Sequence, residues 1–395
     1  MSITWSQQAK RMNFEFASAG QIVFGAGRLA EIGGLAAGFG RRALVVTGRD
    51  PSRSTPLIDL LDKAFIDAST HVIDGEPTIG MIAAGVKRVR ETACDLIIGF
   101  GGGSAIDAGK AIAALATNPG DPLEYLEGIG KGKPLKNAPI PFIAIPTTAG
   151  TGSEATRNAV LASPEARVKV SLRSALMLPR LALVDPELTY SSPANVTAYS
   201  GMDALAQVIE PFVSTAANPI TDALAREAIP RAARSLPAAY ANGRDAEARE
   251  EMALVALFSG IALANARLGA AHGLAGVLGG MFDAPHGALV ATLLPHVITV
   301  NLSAMNQRDP DHPGLRRYKH VATLLTGHMK ATAADGAHWI AELANTLRIP
   351  RLSAFRVTRT QFRNIVEKAA QSNSMKGNPI PLTPDELNEI LERAL

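Results

Sequence analysis

DLIIGFGGGSAIDAGK, Asp95–Lys110, reads as a buried strand, a glycine turn and the start of a helix. Leu96–Phe100 is apolar enough for the middle of a sheet, and Ser104 onward follows a helical pattern. Where a strand runs through Gly101, Gly102 and Gly103 into a helix, unpaired N–H groups and the helix dipole point at one spot. The missing side chains let an anion approach the backbone. The run is not a GxGxxG fingerprint, and it stands second or third among the strands rather than first. It predicts a phosphate-bearing ligand without naming it.

The same alternation extends outward. Strand-like runs fall at Arg42–Thr47, His71–Ile73, Leu96–Phe100, Phe142–Pro146 and Leu181–Asp185. Helical patterns separate them at Arg28–Ala37, Thr55–Ala68, Ile79–Glu91 and Ser104–Leu115. That order predicts an α/β half with a mostly parallel sheet. From about Ser191 strand signals vanish, and Ala/Leu-rich helices are expected at Val196–Phe212, Pro219–Tyr240 and Asp245–Leu268. The expected division is an α/β domain over residues 1–190 and an all-helical domain over 191–395, with function in the cleft between them.

A chain of 395 residues suits two domains. At 47% hydrophobic and 19% charged it fills a large interior and leaves room for an apolar subunit interface, so a homo-oligomer, most simply a dimer, is expected. A net charge of +3 without a basic block speaks against nucleic acid. One cysteine, Cys94, precludes an intrachain disulfide and suits a reducing compartment. The opening MSITWSQQAKRMNFEF lacks the apolar core of a secretory leader, and no run of 18 apolar residues suggests a membrane span. A cytoplasmic protein that does not bind membranes is expected.

A second glycine-rich element, PTTAGTGSE (Pro146–Glu154), follows the Phe142–Pro146 strand. Its Thr147, Thr148, Thr151 and Ser153 supply four hydroxyls. Two such loops at strand ends can hold two phosphates and a sugar, although an ordinary turn would explain either loop alone. In the helical half, Asp203 and Gln207 are four apart on one helix face. His272 and His286 are separated by Gly279, Gly280 and Pro285, which lets a helix break and return. One carboxylate, two imidazoles and the Gln207 carboxamide oxygen would make a divalent-metal site. The plain alternative is a helix-end aspartate and two packed histidines. His296 fits a packing role, and Cys94 a small buried hydrophobe.

Beyond these residues, the chain resembles the iron-containing (group III, metal-dependent) alcohol dehydrogenases, a family that includes maleylacetate reductases. The similarity rests on FGAG (Phe24–Gly27), GGGSAIDAGK (Gly101–Lys110), PTTAGTGSE, LVDPELT (Leu183–Thr189), GMDAL (Gly201–Leu205), HGLAGVLGG (His272–Gly280) and APHG (Ala284–Gly287). It runs nearly end to end and is weakest beyond about Ala304. The resemblance implies a dinucleotide-binding α/β domain followed by a helical domain, the dehydroquinate synthase-like arrangement. It implies NAD or NADP as cofactor, with Gly101, Gly102, Gly103 and Ser104 at the pyrophosphate. Asp107, Thr147, Thr148, Thr151 and Ser153 would line the rest of that site. It implies Fe²⁺ or Zn²⁺ on an aspartate and three histidines, matched by Asp203, His272 and His286.

Three positions depart from the family pattern. Gln207 stands where the remaining metal-binding histidine is expected, as fourth ligand or beside the metal. Gly276 stands where many members carry a histidine near the substrate. Gly48 follows the Arg42–Thr47 strand where many members have an aspartate, and Arg49 comes next, which leans toward NADP unless Asp50 turns inward. The expected reaction is hydride transfer between NAD(P)(H) and an alcohol, aldehyde or ketone, with the metal polarising the substrate oxygen. The substrate is expected to be a neutral, fairly apolar small molecule larger than ethanol. Gly273, Leu274, Val277, Leu278, Met281 and Phe282 are candidate pocket walls. The first alternative is a metal-independent maleylacetate-type reductase of a keto acid, with Arg157, Lys169 or Arg173 as its cations. A phosphorylated-polyol dehydrogenase or related lyase is a second, and a relic that only binds dinucleotide a third.

Overall fold

Eight strands form among the described residues: β1 (Ile22–Phe24), β2 (Arg42–Thr47), β3 (Asp67–Val72), β4 (Leu96–Gly101), β5 (Phe142–Pro146), β6 (Asn158–Ser163), β7 (Val168–Arg173) and β8 (Leu181–Val184). This computed structural model describes residues 13–164, 166, 168–282 and 284–395; the segment read for a leader lies largely outside them. Six strands make one parallel sheet in the order β1-β8-β5-β4-β2-β3, and β6 and β7 pair as an antiparallel hairpin.

Residues on one strand alternate between the two faces of the sheet, and both faces are covered. On β2, Ala43 and Val45 pack with Leu57 and Leu61, whereas Leu44 and Val46 pack with Ile82, Val86 and Ile106. The covering helices are α1 (Ile32–Ala36) and α2 (Thr55–Lys63) on the first face, and α3 (Ile79–Thr92) and α4 (Gly103–Thr117) on the second. A short α5 (Pro122–Tyr125) follows. β4 sits between β2 and β5, so the Asp95–Lys110 run occupies the centre of the sheet.

Some expectations shift. The central strand is fourth in the chain rather than second or third, because β1 had no visible signal. The helix expected over Thr55–Ala68 stops at Lys63: Phe65 turns left-handed at φ 58°, and Asp67 already begins β3. The strand expected at His71–Ile73 therefore starts four residues earlier. The hairpin β6–β7 was not foreseen.

The remaining helices are α6 (Ala194–Val213), α7 (Pro219–Ala241), α8 (Ala246–Asn265), α9 (Ala270–Met281), α10 (His286–Arg308), α11 (Pro313–Thr326), α12 (Ala333–Thr346), α13 (Phe362–Ala370) and α14 (Pro384–Ala394). Their apolar faces merge into one core around Leu205, Ile209, Leu236, Leu274, Leu293 and Ile340. Among the described residues, α10 is the one unbroken helix long and apolar enough to cross a membrane, and 83% of its apolar window is packed inside the protein. Ala155, Val184, Leu257 and Ile261 form a small cluster joining the sheet to α8.

Candidate active site

The two glycine-rich loops meet. Gly101 ends β4, Gly102 caps α4 and Gly103 is its first residue. The N–H of Thr147 donates to the Gly101 carbonyl at 2.9 Å. A Cβ on Gly103 would lie 2.8 Å from Thr151 Cγ2, so a side chain there is excluded by the second loop. A Cβ on Gly102 would make only ordinary contact with Thr148, at 3.5 Å. Ser104 is half-buried in the first turn of α4, and Thr147 and Ser153 are buried. A cavity of about 450 Å³ opens beside Phe100 and Thr147, at the C-terminal ends of β4 and β5, with Arg53, Leu188 and Arg244 also on its wall.

Gly48 lies beside this loop: its N–H nitrogen is 3.6 Å from the Cβ position on Gly101, and its own Cβ would meet nothing within 4 Å. Asp50 is turned to its own chain, accepting from the Ser52 amide at 3.1 Å and hydroxyl at 2.6 Å. Arg49 pairs with Asp74.

Asp107 faces another way. Its carboxylate accepts from Val160 N–H at 2.8 Å and pairs with Lys110 at 3.2 Å. Lys110 is fully buried and donates to Ser153 O at 3.0 Å and Thr156 Oγ1 at 2.8 Å. Together the pair ties α4 to the hairpin and to the Thr-rich loop. Burial pushes the neighbouring Glu154 carboxyl up to about 7, against the opposing pull of its own backbone N–H and of Lys110. Sequence reasoning passed over Lys110, although a lysine three residues after an aspartate in an apolar helix is a visible signal.

The second loop also touches the helical half. Gly152 adopts φ +60°, and a Cβ on it would fall 2.3 Å from Gly260 Cα on α8. A Cβ on Gly150 would fall 2.4 Å from Ser200 Cβ on α6. Backbone meets backbone here, which brings the strand ends against the helices that carry the polar cluster.

Asp203, His272 and His286 converge from α6, α9 and the first residue of α10, with their ligand atoms all within 4.8 Å of one another. Asp203 Oδ1 lies 3.2 Å from His272 Nε2 and 3.9 Å from His286 Nε2. The rings are 5.6 Å apart, centre to centre. Asp203 and His272 are buried. Burial opposes ionisation of Asp203, but the hydrogen bond to His272 and the adjacent imidazoles outweigh it and hold the carboxyl below its usual range. Burial likewise opposes the charge on His272, and Glu210 and Asp203 overcome it, raising the imidazole to about 10. His286 is lowered, by burial first.

Glu210, not foreseen from the sequence, orients this cluster. One turn beyond Gln207 on α6, it accepts from His272 Nδ1 at 2.6 Å, Gly269 N–H at 2.9 Å and Ala271 N–H at 2.8 Å. With Nδ1–H given to Glu210, Nε2 is the ring atom turned to Asp203: it carries the proton of that hydrogen bond in the metal-free chain and would release it to a cation, the usual carboxylate–histidine arrangement of metal sites. A buried acid in the otherwise apolar QVIEPF segment was the signal. The donor set of one carboxylate and two imidazoles fits Fe²⁺ or Zn²⁺. Gln207 is also buried, with its Nε2 2.8 Å from Asp203 Oδ2.

A cavity of about 520 Å³ reaches α9 one turn from His272, where Gly276, Val277 and Met281 meet Lys169, Arg173 and Lys368. A Cβ on Gly276 would meet nothing within 4 Å. Lys169 pairs with Glu76 at 2.9 Å and Arg173 with Glu127 at 3.2 Å. Of the expected apolar walls, Val277 and Met281 line this space. Leu274 and Leu278 are buried on the core side of α9, Phe282 packs against that core, and the helix turns these three away from the cavity. Gly273 shares the helix face of Val277 but is buried against Met375. His296 lies well along α10, away from the cluster, with burial and then Arg393 and Arg351 lowering it to about 4. Cys94 is buried, as expected for a small hydrophobe.

Family descriptions match both halves: iron-containing alcohol dehydrogenase over residues 19–186, and the C-terminal part of the Fe-containing alcohol dehydrogenase family over residues 197–395. The chain is 38% identical to alcohol dehydrogenase 4 of Schizosaccharomyces pombe over 331 residues, covering 83% of this chain and 76% of that one. It is 36% identical to a 1,3-propanediol dehydrogenase of Klebsiella pneumoniae over 363 residues, covering 90% and 92%. A crystal structure of a 1,3-propanediol oxidoreductase superposes with a TM-score of 0.88 at 33% identity, over 97% of this chain and all of the other.

Proposed function

The chain belongs to the iron-containing alcohol dehydrogenase family, and on that premise we propose how its residues share the reaction. It is an NAD(P)-dependent oxidoreductase of alcohols and aldehydes whose divalent metal, iron or zinc, is held by Asp203, His272 and His286. When bound, the metal supplies a Lewis acid to the substrate oxygen, and the nicotinamide supplies the hydride acceptor or donor.

The remaining assignments are our reading. The α/β domain spans 1–190 and the helical domain 191–395. Gly101, Gly102, Gly103 and Ser104 cradle the pyrophosphate at the N-terminus of α4, while Thr147, Thr148, Thr151 and Ser153 line the nearer side of the cofactor. Asp107 acts through Lys110, holding the Thr-rich loop rather than touching the dinucleotide. Gly48 leaves space where a carboxylate would repel a 2′-phosphate. With Asp50 engaged by Ser52, that space supports use of NADP. Glu210 fixes His272, and the α9 cavity takes the substrate chain. The protein works in the cytoplasm as a homodimer. The exposed Phe14, Phe16 and Ile22, beside the open sheet edge at β1, support such an assembly.

The observation that carries this reading is the gathering of the Asp203, His272 and His286 ligand atoms within 4.8 Å of one another, one helical turn from a cavity lined by Gly276 and Val277. A neutral alcohol or aldehyde longer than ethanol fits it, because Lys169 and Arg173 are each neutralised by a glutamate. The same two cations favour a second reading, a keto-acid substrate that displaces Glu76 or Glu127. A panel of straight-chain aldehydes and 2-oxo acids, assayed with and without added Fe²⁺ or Zn²⁺, separates them. Rising kcat/KM with aldehyde length supports the first, and a flat response with strong preference for oxo acids supports the second. Gly102→Leu is expected to abolish dinucleotide binding in a calorimetric titration without unfolding the chain. Unchanged binding would refute the pyrophosphate assignment.

A further inference from the structure

Asp203, Gln207 and Glu210 occupy one face of α6 at i, i+4 and i+7. Gln207 is 3% exposed, and its Nε2 donates to Asp203 Oδ2 at 2.8 Å. Its Oε1 lies 3.4 Å from Ser259 Oγ, whose single proton has a nearer acceptor in the Ala256 carbonyl at 2.8 Å. In the metal-free chain the carboxylate decides which amide atom is which: with no cation to share, an amide oxygen at that distance from Oδ2 would set two acceptors together with no proton between them. An amide NH₂ has no lone pair to offer a cation. The oxygen of Asp203 that faces the imidazoles is the other one, Oδ1, at 3.2 Å from His272 and 3.9 Å from His286. The three ligand atoms therefore gather on the Oδ1 side, and Gln207 grips Oδ2.

We propose that Gln207 is a positioning residue that fixes the Asp203 carboxylate from outside the metal's coordination shell, so that the chain supplies three protein donors and not four. The inference rests on the metal assignment above. A carboxylate held at one oxygen presents the other in a single orientation, as outer-shell partners do elsewhere. The position that a fourth imidazole would fill stays open to water or to substrate oxygen.

Co²⁺ titrated into the chelator-treated full-length protein, followed by visible absorption, tests this. Wild-type protein takes up Co²⁺ and shows ligand-field bands; failure to bind would overturn the metal assignment itself and this inference with it. Q207L is expected to weaken Co²⁺ binding about tenfold while leaving band positions and intensities unchanged, because no bound atom is lost. Thermal unfolding of the metal-free variant shows whether the fold is intact, and Q207M serves if Q207L does not fold. Q207H gives the spectrum of an added imidazole for comparison. Bands that move in Q207L would show that the amide oxygen had been a ligand. Wild-type affinity in Q207L would show that the grip on Oδ2 does nothing. Either result overturns the proposal.

Discussion

Glu210→Gln removes one charge and almost no volume, and its effect can be worked through bond by bond. The carboxylate accepts three hydrogen bonds, two of them from the backbone at the start of α9 and the third from His272 Nδ1. Glutamine has a single acceptor oxygen. The orientation that keeps Gly269 and His272 sets its NH₂ against the Ala271 N–H, leaving one buried donor without an acceptor. That costs about 1–3 kcal/mol of folding stability. The surviving bond to Nδ1 now comes from a neutral acceptor, so Nε2 becomes a poorer ligand, and metal affinity falls about 10–100-fold. Urea unfolding of the metal-free protein reads the first effect. Competition of Zn²⁺ against a chromophoric chelator reads the second. A variant that loses stability but binds Zn²⁺ like the wild type would refute the orienting role and leave Glu210 as a helix-end partner only.

Three other outcomes are expected. In the metal-free chain, Glu210 and Asp203 overcome burial to raise His272 to about 10, so at lower pH zinc must displace that proton; apparent affinity should fall toward tenfold per pH unit, and a flat profile between pH 6 and 9 would contradict it. Glu154 is raised by burial from 4.5 to about 7, so its favourable contribution is complete below pH 4.5 and lost as pH rises through 7. E154Q should therefore gain about 3 kcal/mol on wild type between pH 5 and 8 in urea unfolding, and parallel pH profiles would contradict the assignment. Gly276→Leu enters open space, so it should fold normally and lower kcat/KM for long aldehydes more than tenfold while sparing ethanol-sized ones. An equal effect on all lengths would place the substrate elsewhere.

The sheet was legible where strands are continuous apolar runs. Ala43–Val46, Leu96–Phe100 and Phe142–Pro146 are buried on both faces, as strands in the middle of a covered sheet are. The β6–β7 hairpin escaped notice because its strands are half-buried and carry Lys169, Ser171 and Arg173 between apolar neighbours. That alternation of period two is a strand signal in retrospect. Of the site, Asp203, His272 and His286 could be named because the chain has only eight histidines and the GMDAL, HGLAGVLGG and APHG segments carry the family resemblance. Glu210 stood out only as an acid in the apolar QVIEPF segment; its role depends on where α9 begins in space, and no spacing along the chain encodes that. Asp107 is a different case: the family resemblance implied contact with the cofactor, whereas its carboxylate is engaged by Lys110 and β6.

Gly152 and Gly260 meet with no side chain between them, and on either side of that contact lie the parts that must act together. The Thr-rich loop belongs to the dinucleotide side, and Ser259, next to Gly260, contacts Gln207 beside the metal ligands. The spacing between the Thr-rich loop and the α8 turn that carries Ser259 is therefore gauged by two bare backbones rather than by interlocking side chains, which could repack around an error. One added methyl group cannot be absorbed at this seam and has to widen it. Reactant misplacement of about 1 Å can cost on the order of a hundredfold in rate. On the cofactor site proposed above, a change at this seam would be read as a loss of rate although it touches neither substrate nor metal.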